Sequence, residues 1–366
     1  MESIVRNALS LGPQQASGPV KLLDGPKIVV VGVGGAGNNT LNRIAKMGVA
    51  NAELIAINTD KQHLSLMHES IKKVLIGQSV TRGLGAGGIP EVGAKAAEVS
   101  RAELSKLLEG TDMLFLAAGM GGGTGTGAAP VIADIAKEQG AIVIAMATYP
   151  FRVERARMIK ADEGIQKLRK VADTVVIIDN NRLVELVPNL PMEAAFGVAD
   201  EVIARAVKGI TETITVPSLI NLDYADIRSI MTQGGVSVIS VGVGRGHNRV
   251  QDVVEDTLKN TLLDVDYTGA KGALIHITGG LDMTLGDANT VAEKLTQAID
   301  PSAQVIVGAR IVPEYEGQIS VIAIMTGVKS QHIKGPVSDN FKSSVGTFGS
   351  VEKDVIDSSL GIAYLR

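Results

Sequence analysis

The sequence contains no cysteine and no tryptophan. Without thiols it can form neither disulfides nor thiolate metal centres. Only ten of its 366 residues are Phe or Tyr, and three of those, Phe341, Phe348 and Tyr364, fall in the last 26 positions. The folded body must therefore pack on Ala, Val, Ile and Leu. No apolar run approaches the roughly 18 residues needed to cross a membrane, and no basic-then-apolar leader opens the chain, so a cytoplasmic protein without direct membrane insertion is expected. The formal net charge of -4 lacks the basic excess of a nucleic-acid binder. Nucleic acid is therefore not an expected partner. His63, His68, His247, His276 and His332 show no repeated spacing with carboxylates, so no metal-ligating residue is expected.

Glycine, by contrast, is abundant at 42 residues. After a Gly-, Pro-, Gln- and Ser-containing extension over residues 1–24, strand-like runs such as KIVVVGV, AELIAIN, KKVLIG, DMLFLAAG, AIVIAMAT and DTVVIID alternate with helical stretches near 38–46 and 128–139. Continuous apolar strands alternating with helices predict a Rossmann-like α/β domain whose parallel sheet is covered on both faces, here residues 25–195. Phe196, Ala199, Val202, Ile203, Ala206, Ile210 and Ile214 then recur at three- and four-residue spacing, which predicts a long helix through 196–217. Strand-like runs VSVISVGVG, ALIHITGG, AQVIVGARIV and GQISVIAIMTG, with helical stretches near 249–263 and 285–300, predict a second, α+β domain over 218–329. The polar, Ser/Gly-rich stretch 330–355 reads as a disordered linker, and 356–366, ending in LGIAYLR, as a short peptide that orders on a partner.

The chemistry concentrates in the glycines. Gly32, Gly34 and Gly37 follow the first strand in a G-x-G-x-x-G pattern, which serves tight strand-to-helix packing as readily as phosphate binding. A second cluster, Gly121 to Gly127 with Thr124 and Thr126, lies between a buried strand and a helix whose first turn is expected to hold Pro130. Glycines let the backbone approach closely and aim successive N–H groups at one anion. Threonine hydroxyls add donors, and the helix N-terminus adds partial positive charge. This is phosphate chemistry. A third turn, TRGLGAGG, adds Gly83, Gly85, Ala86, Gly87 and Gly88, so three loops at neighbouring strand ends could enclose a triphosphate. The lysine of G-x-x-x-x-G-K-[ST] is missing from both main loops, leaving amides, a bound Mg²⁺ and nearby arginines to meet the phosphate charge.

GGAGNN, INTD, TRGLGAGG, GGGTGTG and NLDYADIRSIM, in that order, resemble the FtsZ family of tubulin-like cell-division GTPases over roughly residues 27–329. The resemblance implies a GTPase that binds GTP and GDP with Mg²⁺, assembles head-to-tail with itself and forms a division ring. It implies nucleotide contacts from Gly34, Gly35, Ala36, Gly37 and Asn38, a cover over the terminal phosphate from Ala86, Gly87 and Gly88, and phosphate binding by Gly123, Thr124 and Gly125. Ribose and phosphate contacts map to Glu154 and Arg157, although FRVERARM has one residue fewer between Glu and Arg than the family's E-G-x-x-R, which leaves Arg155 as a competitor. On a helix the three-residue spacing still puts Glu154 and Arg157 on one face.

Guanine recognition maps by the same resemblance to Asn180, Phe196 and Asp200. Asn221, Asp223 and Asp226 map to a loop that enters a neighbour's nucleotide pocket and polarises the attacking water, making hydrolysis dependent on assembly. From the residues alone, helix capping is the favoured account of this acidic pair. The family commonly uses its C-terminal peptide to reach membrane adaptors and other division proteins. Two alternatives stay open in the sequence: a tubulin-superfamily filament serving cell shape, and an NAD-dependent oxidoreductase in which Asp60 reads a ribose hydroxyl.

Overall fold

The computed structural model describes residues 25–215, 218–220, 223–232, 236–259, 269–297 and 299–328. The expected N-terminal extension 1–24, linker 330–355 and peptide 356–366 lie outside the described residues. The strands are β1 (Ile28–Val33), β2 (Ala52–Asn58), β3 (Lys72–Leu75), β4 (Met113–Gly119), β5 (Ile142–Tyr149), β6 (Thr174–Asp179), β7 (Val236–Arg245), β8 (Gly272–Gly279), β9 (Gln304–Ile311) and β10 (Gln318–Thr326). The helices are α1 (Gly34–Met47), α2 (Lys61–Ser65), α3 (Gln78–Thr81), α4 (Pro90–Val99), α5 (Arg101–Leu107), α6 (Thr124–Glu138), α7 (Arg155–Val171) and α8 (Asn180–Leu186). The long α9 (Met192–Thr215) follows, then α10 (Tyr224–Met231), α11 (Arg249–Lys259) and α12 (Leu285–Thr296).

These strands form one sheet in the order β3-β2-β1-β4-β5-β6-β7-β10-β8-β9. Pairing is parallel from β3 to β7. It turns antiparallel on both sides of β10, and β8 and β9 pair in parallel at the far edge. At the seam between the two halves, among the described residues, β6 and β7 share the register pairs Val175 with Val236 and Val176 with Ser237.

Alternation along β1 explains why its run is apolar throughout. Ile28 and Val30 pack with Leu41 and Ile44 of α1 and Ile203 of α9. Val29, Val31 and Val33 pack on the other face with Ala96 of α4, Ile132 of α6 and Ile165 of α7. A strand buried on both faces has no position left for a polar residue.

Both helices that follow the main glycine clusters start four residues earlier than their apolar periodicity predicts. The periodicity points to Asn38 and Ala128; the helices begin at Gly34 and Thr124. The glycine segments are thus partly first helical turns rather than free loops. Pro130 accordingly sits inside α6, not in its first turn. There its missing N–H leaves the Thr126 carbonyl without the usual donor four residues on.

At 1.5 Å per residue α9 spans roughly 36 Å, and polar contacts fasten it along its length. Glu201 accepts from Arg43 of α1 and from Arg205, each at 2.9 Å. Further along, Arg310 of β9 meets Glu212 at 2.7 Å, and the Thr213 hydroxyl is 2.8 Å from Nδ1 of the buried His276 on β8. Burial pushes the His276 imidazole down to about 4, with the Arg310 charge adding to the shift.

Candidate nucleotide site

The carboxyl ends of β1, β4, β5 and β6 converge on a cavity of about 340 Å³. Some of the site residues expected from the sequence face this cavity, others hold its walls together, and Asp200, Asp223 and Asp226 lie outside it. Gly35 and Ala36 of α1, and Gly123, Thr124 and Gly125 at the start of α6, line it. Gly122, also in the lining, has nothing within 4 Å of the place its Cβ would take.

The other glycines let backbones touch. A Cβ on Gly37 would lie 2.1 Å from the Ala117 carbonyl oxygen of β4, and one on Gly34 would lie 2.9 Å from the Gly125 amide nitrogen. Gly125 combines both roles, since its own Cβ would fall 2.4 Å from the Gly119 carbonyl oxygen. No side chain larger than hydrogen fits these crossings without moving a strand. Asn38 is fully buried beneath the turn, and both polar atoms of its amide lack a hydrogen-bond partner.

The INTD and TRGLGAGG segments are zipped together beside this wall. The Gly85 amide donates to the Thr59 carbonyl at 3.1 Å and the Lys61 amide to that of Gly83 at 3.0 Å. The Thr59 and Thr124 hydroxyls lie 2.7 Å apart. Ala86 packs on the α6 N-terminus, where a Cβ on Gly123 would meet its methyl at 2.8 Å. Gly87 and Gly88, expected with it over the terminal phosphate, have nothing near their Cβ positions and, like Ala86, are not part of the lining. Asp60 is committed locally: its carboxylate accepts from the Gln62 and His63 amides at 2.9 and 3.1 Å and so caps α2.

The opposite wall comes from the β5–α7 turn. Glu154 and Arg157 line the cavity and form an ion pair, as their three-residue spacing predicts. Burial opposes ionisation of Glu154, but the Arg157 guanidinium and the Phe151 N–H outweigh it and hold the carboxyl below its ordinary value. Arg155 is exposed at the first position of α7 and is not part of the lining.

Asn180, at the start of α8, also lines the cavity, whereas neighbouring Asn181 ties down the 150–152 turn: its side-chain oxygen accepts from the Arg152 amide at 2.9 Å. Phe196 pairs at the rim with Phe151, their ring centroids 5.7 Å apart. Sequence reasoning passed over Phe151. In a chain so poor in aromatics, the Y-P-F at the end of a buried strand was the available signal.

Asp200 lies one turn beyond Phe196 in a broader groove of about 1010 Å³ between α1, α9 and β7, with Phe196 bordering both spaces. It accepts from the Thr40 hydroxyl at 2.5 Å, and burial pushes its carboxyl above the usual value.

Asn221 lies outside the described residues, but its two acidic companions do not. Asp223 and Asp226 form a reciprocal capping box at the start of α10: Asp223 accepts from the Asp226 amide at 2.7 Å, and Asp226 accepts from the Asp223 amide at 3.3 Å. The Tyr224 hydroxyl donates to the Asp112 carbonyl at 2.8 Å, just before β4 begins. The cavity adjoins the other end of that strand. Seven residues at about 3.3 Å each separate the two by roughly 23 Å.

The sequence profile of the tubulin/FtsZ family GTPase domain matches residues 27–188, and that of the FtsZ family C-terminal domain matches residues 235–329. Cell division protein FtsZ 2 of Methanocaldococcus jannaschii is 62% identical over 84% of this chain and 82% of its own length. Its counterpart in Haloferax volcanii is 53% identical over 92% and 85%. Among solved structures, an empty FtsZ dimer of M. jannaschii superposes with a TM-score of 0.78 at 41% identity, covering 91% of this chain and 97% of that one. A GTPγS-bound protofilament of CetZ2 from H. volcanii reaches a TM-score of 0.72 at 24% identity over 84% and 95%, a likeness of fold alone. These matches remove the oxidoreductase alternative, and the chain belongs to the FtsZ family of tubulin-like cell-division GTPases.

Proposed function

We propose that each copy of this chain holds GTP in the glycine-walled cavity and hydrolyses it only when α10 of a second copy docks over that cavity, in a head-to-tail filament that builds a division ring. The observation carrying this reading is the separation of the two ends. The phosphate-type wall and the acidic helix stand at opposite ends of β4, roughly 23 Å apart, so one copy cannot bring them together.

In the cavity, the α6 N-terminus and the amides of residues 122–125 would bind the phosphates and Glu154 and Arg157 the ribose side, and the guanine would reach past Asn180 and Phe196 to Asp200 in the adjoining groove. The bond from Thr40 leaves the second oxygen of Asp200 to accept from the N1–H and amine edge of guanine. Asp223 and Asp226 of the incoming copy, with Asn221, would orient and polarise the attacking water. Capping and catalysis are compatible here, because a carboxylate has lone pairs beyond the one a backbone amide occupies.

Mg²⁺ would enter on the nucleotide. Among the described residues no group of three or more His, Asp or Glu side chains is placed to hold a metal, which suits a cation ligated mainly by phosphate oxygens and water. When bound it would neutralise phosphate charge. The C-terminal peptide 356–366 would reach a membrane adaptor or another division protein from a ring on the cytoplasmic side. No described helix is long and apolar enough to cross a membrane.

Turnover measured against protein concentration tests the shared site. Activity per molecule should stay near zero below a threshold and rise as copies associate. A rate per molecule independent of concentration down to the monomer would overturn the reading.

A further inference from the structure

Both main glycine loops lack a lysine at the position an ordinary phosphate loop would use, yet the structure brings one to the third loop. Lys160, on α7, donates from Nζ to the Gly88 carbonyl at 2.8 Å. It continues the stripe of Glu154 and Arg157, three residues further along the same helix face. The bond ties α7, which supplies one wall of the cavity, to the 82–88 loop, a segment far away in sequence.

The 82–88 loop needs such a bridge. Arg82, Gly83, Gly85, Gly87 and Gly88 all have positive φ, so ordering the loop gives up much backbone freedom. Its inner half is fixed to the Thr59–Lys61 segment and to Gly123. The outer half is not: no atom lies within 4 Å of the Cβ position of Gly87 or Gly88, and among the described residues no other hydrogen bond reaches either. Because Ala86 already rests on the α6 N-terminus, beside the cavity's phosphate-type wall, the Lys160 bond is the contact that fixes the outer half of the loop there.

We infer that Lys160 is a positioning residue that holds the 82–88 loop closed over the terminal-phosphate end of the cavity, and that the chain distinguishes GTP from GDP partly through this bond. The inference rests on the nucleotide reading proposed above. A loop fixed beforehand presents its amides without an ordering cost, and the benefit falls on the ligand that reaches them, the triphosphate. The diphosphate, held by residues 122–125 and the α7 stripe, ends short of the loop.

The test measures dissociation of fluorescent GTP and GDP analogues from full-length wild type, Lys160→Met and Lys160→Arg, at protein concentrations below assembly. Lys160→Met should release the GTP analogue about tenfold faster and the GDP analogue within about twofold of wild type, the scale set by losing one charge-assisted hydrogen bond. Lys160→Arg, which keeps a cationic donor, should restore most of the GTP effect. Equal acceleration of both analogues, or no change in either, would overturn the role given to Lys160 while leaving the pocket in place. A wild-type chain that holds neither analogue would overturn the pocket reading and this inference with it.

Discussion

The two ends of the parallel sheet are built from different materials, and on the proposed reading they would do different chemistry. At the carboxyl end stand glycines, helix N-termini and amide groups, with Glu154 and Arg157 as an ion pair on one wall. At the amino end stand side chains, the Asp223 and Asp226 carboxylates that cap α10. A backbone site binds an anion, and the one carboxylate in its lining, Glu154, is engaged by Arg157; an acidic helix repels phosphate until something else neutralises it. On the proposed reading each end supplies what the other lacks, which is the physical case for a reaction completed between copies.

The largest expected effect breaks the acidic end alone. Asp226→Ala should cut GTP turnover by about 10²- to 10⁴-fold, the range of a lost general base or water-orienting group, with GTP affinity nearly unchanged. Removing half a capping box also costs about 1 kcal/mol of stability, so a melting curve should accompany the kinetics. Wild-type turnover would reduce α10 to a capped helix.

The next effect separates two kinds of glycine at the other end. Gly37→Ala puts a methyl 2.1 Å from the Ala117 carbonyl oxygen and should lower stability by about 3 kcal/mol. Gly122→Ala meets open space and should leave the melting temperature unchanged while weakening nucleotide binding. Equal melting temperatures for the two variants would contradict the division into packing and cavity-facing glycines.

A smaller effect is expected near the C-terminal end of α9, where Thr213 meets His276 of β8. His276 titrates near 6.5 when unfolded and near 4 when buried in the fold. The unfolded chain therefore binds more protons between those values. Its contribution to stability is complete above about pH 6.5 and is lost as the pH falls toward 4. Denaturant titrations of wild type and His276→Gln across pH 4–7 should show a shallower pH dependence in the variant, and parallel curves would contradict the assignment. The smallest effect concerns the α7 arginines: Arg157→Ala should weaken nucleotide binding several-fold, whereas Arg155→Ala should match wild type by calorimetry.

Much of this was legible in the sequence, because strands apolar on both faces and glycine clusters at strand ends leave few alternatives. AELIAIN became β2 residue for residue. What misled was glycine itself. Its low helix propensity makes Gly34–Gly37 and Thr124–Gly127 read as loop, yet the close crossing at Ala117 and Gly119 requires glycine in a first helical turn. The same propensity argument misassigned Pro130. Phe151 and Lys160 were hidden for another reason: each gains its place from a partner far away in sequence, Phe196 and Gly88, and no local pattern marks such a contact. The acidic pair in NLDYAD reads first as a cap in sequence, the capping box on α10 is there, and it does not exclude the catalytic loop that the family resemblance implies.

Mixing two inactive variants tests the shared site most directly. Asp226→Ala keeps its cavity and lacks the water-orienting carboxylate. Gly122→Arg places a long cation in the cavity where its Cβ meets nothing, and keeps α10 intact. With co-sedimentation showing that both enter the same polymer, the mixture should hydrolyse GTP well above the sum of the separate rates, because a fraction of its contacts joins an open cavity to an intact acidic helix. A mixture that co-assembles yet turns over no faster than that sum would contradict catalysis between copies.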